Sequence, residues 1–175
     1  EDGRKYLAPG LFGPCGYGFP AIIGAKIAQS DMPVIGFAGD GAFGISMNEM
    51  TSIGRDPYPP ITMVIFRNYQ WGAEKRNTTL WFDDNFVGTE LDLDVEYAKI
   101  AEACGMKGVQ VLTMSDLTEA LSDAVEGQLT RGETTFIEVV LNQELGEPFR
   151  RDAMKTPVEV AGVDPSDMQP QSGAA

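Results

Sequence analysis

Two kinds of apolar run alternate along this chain, and the alternation sets its architecture. Val34 to Ala38, Ile61 to Arg67, Val109 to Leu112 and Thr135 to Leu141 are short runs, most of them β-branched, bounded by Pro, Gly or polar residues, which predicts buried strands at 34–38, 61–67, 109–112 and 135–141. Between them the spacing turns helical. Ala21 to Ala28 carries Ala21, Gly24, Ala25 and Ala28 at near-helical intervals, a stripe suited to close packing, and a glycine-dense segment, Gly10 to Pro20, leads into it. Ile45, Met47, Met50 and Ile53 mark a second helix ending near Gly54-Arg55, ahead of Pro57, Pro59 and Pro60, which no helix tolerates.

Further on, Asp94 is placed to cap a helix whose Tyr97, Ala98, Ala101 and Cys104 share a face, with Gly105 ending it. Ser115 is placed to cap an amphipathic helix running to Gly132, with Leu117, Ala120, Leu121, Ala124 and Val125 inward and Asp116, Glu119, Asp123 and Glu126 on a solvated face. Tyr69 to Asp92 lacks periodicity and reads as a long loop, its Trp71, Trp81, Phe82 and Phe86 packing on something. Strands alternating with helices predict an α/β fold, a parallel sheet with helices on both faces. The domain is expected over 1–145, followed by a C-terminal tail over 146–175 in which Arg150-Arg151 reads as surface.

Composition narrows the chemistry. The chain has 175 residues and 43% hydrophobic content, enough for about one domain with its own core. Lys+Arg 13 against Asp+Glu 26 gives a net charge of −13, which argues against a nucleic-acid or anionic-membrane surface. There are no histidines, so Ser-His-Asp, Cys-His and histidine–metal chemistries cannot be built from this chain alone. Cys15 and Cys104 stand apart, without a CxxC, and do not suggest a structural disulfide. With no leader and no apolar run of about 18 residues, a cytoplasmic location is the default expectation. The opening Glu1-Asp2, without an initiator methionine, is expected of a piece of a longer enzyme.

The candidate chemistry sits where the first strand ends. Gly39-Asp40-Gly41 lets backbone N–H groups approach an anion closely while the carboxylate offers a hard oxygen to a divalent cation, and the helix that follows opens toward the same ligand. Alone, the triplet is an ordinary strand-to-helix turn. The second strand, however, ends at Arg67-Asn68, and parallel neighbours deliver Asp40 and Asn68 to one carboxyl edge, where open α/β sheets bind ligands.

Gly39-Asp40-Gly41, the 26 residues 42–67 and then Asn68 resemble the thiamine diphosphate fingerprint. The resemblance implies Mg²⁺ ligation by Asp40, the Asn68 side chain and the Gln70 carbonyl, and diphosphate contacts from Gly39, Gly41 and Ala42. Gly13, Cys15, Trp71 and Gly72 complete the expected cofactor-binding set. Arg67 departs from the family, many of whose members carry an asparagine there. Gly16-Tyr17-Gly18-Phe19-Pro20 resembles the loop of the acetohydroxyacid synthase-like thiamine diphosphate enzymes, where the residue before the first glycine props the cofactor into its bent shape. That position is Cys15, smaller than the usual apolar prop, and a buried thiol without a role is the alternative.

Three blocks, Asn68 to Lys75, Leu80 to Leu91 and Gln143 to Arg151, resemble the sulfoacetaldehyde acetyltransferase family more narrowly. That resemblance implies phosphate-dependent cleavage of sulfoacetaldehyde to acetyl phosphate and sulfite. It also implies a homodimer or homotetramer in which a pyrimidine-binding domain of a neighbouring subunit carries the activating glutamate. No catalytic acid or base is assigned here, and Glu49 and Glu74 are carboxylates without a role. The alternatives are a carboligase of the acetolactate synthase or glyoxylate carboligase type, and a non-catalytic regulatory or interaction domain. Lys75 and Arg76 are candidates for attracting anionic substrate.

Overall fold

Four strands share one parallel sheet: β1 (Ile35–Gly39), β2 (Thr62–Arg67), β3 (Lys107–Val111) and β4 (Thr135–Val140), in the order β1-β2-β4-β3. The computed structural model describes residues 5–55 and 58–144. The tail expected over 146–175, Arg150-Arg151 and most of the block beginning at Gln143 lie outside those residues. The described residues divide into two compact units, 5–69 with 91–142, and 70–90 with 143–144.

The sheet belongs to the first unit, and its period-two pattern sorts side chains onto two faces. Met63, Ile65 and Phe136 point to one face, where they pack with Phe19 and Ile22 of α1 (Gly18–Ala28), Phe43 of α2 (Asp40–Ser46), Met50 and Ile53 of α3 (Met50–Ile53), and Tyr97 and Ala101 of α5 (Tyr97–Ala103). Phe43 is the hub, with ring centroids 5.1 Å from Phe19, 5.5 Å from Tyr97 and 5.9 Å from Phe136. Val64, Val111, Ile137 and Val139 point the other way and pack on α6 (Met114–Glu126) through Ala124, Leu117, Ala120 and Leu121. Helices therefore lie on both faces, as the alternation predicts.

Several local expectations change, each for a physical reason. Thr113, not Ser115, caps α6, its hydroxyl accepting the Asp116 N–H at 3.2 Å, the reach of a cap to the third helical residue. Asp94 does not cap α5. Its own N–H is taken by Asp92 at 2.8 Å, and α5 begins at Tyr97, where Glu138 of β4 accepts the Ala98 N–H at 3.0 Å. A carboxylate from across the fold thus replaces the local cap. The helix after Asp40 is broken by a 3₁₀ turn, Met47–Glu49, and α6 continues as a π-turn, Gly127–Arg131, before Gly132 closes it with φ 65°. Asp123 is not merely solvated: it pairs with Lys107, and with Arg131 at 2.8 Å. In α1 the buried face is Phe19, Ile22 and Lys26, while Gly24 and Ala28 of the small-residue stripe are exposed.

In the second unit, the expected loop Tyr69 to Asp92 contains α4 (Gly72–Trp81). This helix buries none of its residues, so the hydrophobic periodicity that reveals a helix is missing from its sequence. Gln70 bridges Glu90 in antiparallel fashion and the Trp71 N–H meets the Thr89 carbonyl at 2.8 Å, closing the unit on itself.

Glycines hold the layers at contact distance. A Cβ at Gly108 of β3 would stand 2.0 Å from the Ala98 carbonyl oxygen of α5, whereas one at Gly36 of β1 would meet only side-chain atoms, Ile22 Cδ1 at 2.7 Å and Met63 Sδ at 2.9 Å. Backbone cannot yield as a side chain can. Gly108→Ala is therefore expected to lower stability by about 1–3 kcal/mol and by more than Gly36→Ala, read from urea unfolding midpoints. The reverse ranking would show that α5 is free to move off the sheet.

Candidate functional site

The carboxyl edge of β1 and β2 carries the chemistry. Gly39 pairs with Phe66 in register, so the chain leaves both strands at the same level. Gly39 is still extended (φ −71°, ψ 158°) and caps α2, which begins at Asp40. Asp40 is 2% exposed. Its Oδ1 accepts the Gly41 N–H at 3.0 Å and its Oδ2 accepts the Tyr69 N–H at 2.7 Å. Burial pushes the Asp40 carboxyl above the usual carboxylate range, opposed by the backbone N–H groups of Tyr69, Gly41, Asp40 itself and Asn68. The result is a hard oxygen donor, fixed in orientation by both of its oxygens and set beside an asparagine.

Tyr69 makes this possible by an unusual turn. Its φ is 61°, the left-handed region, which costs a bulky residue on the order of 1–3 kcal/mol. Three contacts hold it there: its N–H on Asp40, its carbonyl accepting the Leu91 N–H at 2.9 Å, and its ring under the Arg67 guanidinium, 4.5 Å from the ring centroid. Arg67 is itself buried. Its Nη1 donates to Glu138 Oε1 at 2.7 Å and its Nη2 to the Leu93 carbonyl at 2.6 Å. Tyr97 completes the surroundings, its hydroxyl pushed up by burial and by the charge on Asp40.

The glycine-rich segment reaches the same neighbourhood. The Gly16 carbonyl accepts the Ser46 hydroxyl at 3.0 Å, and a Cβ at Gly16, where φ is +87°, would fall 2.8 Å from Ile45 Cγ2 and 3.8 Å from the Ala42 carbonyl oxygen. Only glycine lets the segment lie this close to α2. Cys15, which precedes Gly16, is exposed in this chain and is a free thiol. Gly13 is exposed, with φ +57° and open space where a Cβ would be.

Among the expected site residues, the first unit thus brings together Gly39, Asp40, Gly41 and the Asn68-Tyr69 turn, and sets Gly16 against α2 beside Ala42. Gln70, Trp71 and Gly72 belong to the second unit. There Gln70 is buried with its side-chain amide donating to the Gln143 carbonyl at 2.8 Å, Trp71 precedes α4, and Gly72 is the first residue of that helix. Lys75 pairs with Glu90 and lies 5.2 Å from the Phe86 ring centroid. Its charge is largely spent within the unit, which counts against a role in attracting substrate.

The residues missed from sequence are Tyr69, Arg67, Glu138 and Tyr97. One signal was available: Glu138 is a lone acid in the apolar run Thr135 to Leu141, and a buried acid requires a partner. A buried carboxylate such as Asp40 suits Mg²⁺, which takes hard oxygen donors rather than nitrogen or sulfur. Among the described residues no cluster of three or more Cys, Asp or Glu competes as a metal site.

The chain is similar to known proteins. Residues 1–139 match the family described as thiamine pyrophosphate enzyme, C-terminal TPP binding domain. A probable sulfoacetaldehyde acetyltransferase of Rhizobium meliloti is 74% identical over 98% of this chain and 29% of its own length. The sulfoacetaldehyde acetyltransferase of Rhodobacter capsulatus is 72% identical over 97% of this chain and 28% of its own. The chain thus spans less than a third of these relatives. Among solved structures, a thiamine diphosphate-dependent 4-hydroxybenzoylformate decarboxylase of Rhodococcus jostii RHA1 superposes with a TM-score of 0.67 at 27% identity, covering 77% of this chain and 24% of that one. The chain belongs to the thiamine pyrophosphate enzymes, as their C-terminal TPP-binding domain.

Proposed function

We propose that this chain is the cofactor- and Mg²⁺-anchoring part of a longer thiamine diphosphate-dependent sulfoacetaldehyde acetyltransferase, which converts sulfoacetaldehyde and phosphate to acetyl phosphate and sulfite. The observation that carries the reading is the buried Asp40 carboxylate, aimed by the Gly41 and Tyr69 N–H groups at the carboxyl edge of the sheet. The high identity to sulfoacetaldehyde acetyltransferases favours this substrate class over acetolactate synthesis. A probable acetolactate synthase large subunit of Methanocaldococcus jannaschii is 31% identical over 70% of this chain.

In this reading Asp40, the Asn68 side chain and the Gln70 carbonyl hold Mg²⁺, and Gly39, Gly41 and Ala42 meet the diphosphate. Gly13, Cys15, Trp71 and Gly72 line the remainder. When bound, thiamine diphosphate supplies the electron sink for the reaction. The chain's own part is to bind and orient. The proton chemistry is assigned to the pyrimidine-binding domain of a neighbouring subunit, which makes the active species a homodimer or homotetramer.

Three outcomes test the proposal in the full-length enzyme. Asp40→Asn keeps the shape but removes the charge and sets an NH₂ against one of the two backbone N–H groups, and is expected to raise the Mg²⁺ concentration for half-maximal cofactor binding by about tenfold or more, with a loss of about 1–3 kcal/mol of stability. Unchanged metal dependence in a fluorescence titration would remove Asp40 from the site. Supplied with sulfoacetaldehyde and phosphate, the enzyme is expected to release sulfite and acetyl phosphate in equal amounts, whereas acetolactate formed from pyruvate without sulfite release would favour a carboligase. Cys15→Leu is expected to alter turnover more than melting temperature, because a loop residue beside a ligand gains volume more easily than a packed core residue. A variant with wild-type turnover would deny Cys15 the prop role.

A further inference from the structure

Arg67 stands where the thiamine diphosphate fingerprint commonly has an asparagine, and the structure gives it connections that an asparagine could not make. Its two terminal nitrogens reach different parts of the fold, Glu138 of β4 at 2.7 Å and the Leu93 carbonyl at 2.6 Å, while the guanidinium carbon lies over the Tyr69 ring, 4.5 Å from its centroid. Glu138 is completely buried and is fixed on its other oxygen by the Ala98 N–H at 3.0 Å. The group facing Tyr69 is therefore anchored at both ends. Tyr69 in turn occupies the left-handed region and spends its N–H on the Asp40 carboxylate at 2.7 Å.

We propose that Arg67, locked by Glu138, is a positioning residue: by capping the Tyr69 ring it holds the left-handed turn that keeps the Tyr69 N–H on Asp40, and so sets the direction in which Asp40 presents its oxygens. That Asp40 meets a metal rests on the function proposed above. The linkage itself does not. An ammonium carries the same charge but cannot reach Glu138 and Leu93 at once while lying flat on a ring.

The test uses the full-length enzyme and its Arg67→Lys variant. Without metal or cofactor, residue-resolved hydrogen exchange is expected to show the Tyr69 amide exchanging about tenfold faster in Arg67→Lys, with the Val64 and Ile137 amides of β2 and β4 protected as in the wild type. With thiamine diphosphate present, the half-saturating Mg²⁺ concentration is expected to rise about tenfold, while kcat at saturating Mg²⁺ stays within about twofold. Tyr69→Leu should reproduce Arg67→Lys, and the double variant should be no worse than either single one, because both break one linkage.

Unchanged exchange at residue 69 in Arg67→Lys overturns the proposal, as does equal acceleration at Val64 and Ile137, which marks general loosening. Multiplying effects in the double variant overturn it too. Should Arg67→Lys fail to fold, unchanged exchange at residue 69 in Tyr69→Leu overturns it on its own. A wild-type enzyme that shows no Mg²⁺-dependent cofactor binding sinks the proposed function, while the metal-free exchange comparison still decides this linkage.

Discussion

A carboxylate taken out of water at the end of a strand is the constraint on which this site depends. Removing an ionised group from solvent costs several kcal/mol even after the surroundings relax, and Asp40 is almost completely buried. Backbone N–H groups offset part of that cost, since a carboxylate hydrogen-bonded to amides keeps its charge more easily. They can do so only if the chain delivers them, and three features of the fold serve that end. The parallel register brings β1 and β2 to the edge together, α2 starts at Asp40 so that the Gly41 N–H points back, and the left-handed turn at Tyr69 directs a second N–H at the other oxygen. What remains of the charge is settled by a proton or, in the function proposed above, by a divalent cation.

The turn at Tyr69 leads to a second buried charge system. Arg67 and Glu138 lie on neighbouring strands in the middle of an apolar fold, with side chains 6% and 0% exposed. Such a pair adds little net stability compared with apolar residues of the same volume, yet deleting one partner costs about 3–5 kcal/mol, because the other charge is stranded. Its value is geometric. Glu138 ties β4 to the start of α5 through Ala98, and Arg67 ties β2 to the segment before α5 through Leu93. The same two side chains therefore fix the helix start and the turn beside Asp40. α5 needs no local cap because a buried carboxylate already meets its first turn.

Much of the architecture was legible in the sequence because it rests on local pattern. The strands at 34–38, 61–67 and 135–141 lie within a residue of β1, β2 and β4, since β-branched runs between turn residues have few other places to go. The expected strand at 109–112 starts two residues later than β3, because Lys107 and Gly108 look like loop until their pairing with Thr135 and Phe136 is known. α4 was not legible, as it buries nothing. The caps of α5 and α6 were misplaced because candidate caps cluster near both starts, Asp92 and Asp94 before α5 and Thr113 and Ser115 at α6, and the choice is made by the helix register at α6 and by Glu138 at α5. At the candidate site, Asp40 and Asn68 could be found by spacing and resemblance, whereas the groups that orient Asp40 could not. A backbone N–H has no sequence signature, and a guanidinium stacked on a left-handed tyrosine is visible only once β2, β4 and α5 are assembled.

Charge decides how such a site has to work. A chain with a net charge of −13 draws cations toward itself and repels phosphate-bearing ligands at long range. Lys75, the basic residue most readily imagined as a counterweight, is already matched to Glu90, and Arg67 to Glu138. In the function proposed above, capture of a diphosphate at Asp40 relies on short-range donors and on a metal, not on a positive field. In that reading Mg²⁺ on an oriented carboxylate would turn an anion-repelling edge into one that accepts phosphate oxygens. Fixing the direction of Asp40 before any ligand arrives is therefore the step on which the rest of the anchoring site depends, and it is the step that the Tyr69 turn and the Arg67–Glu138 pair perform.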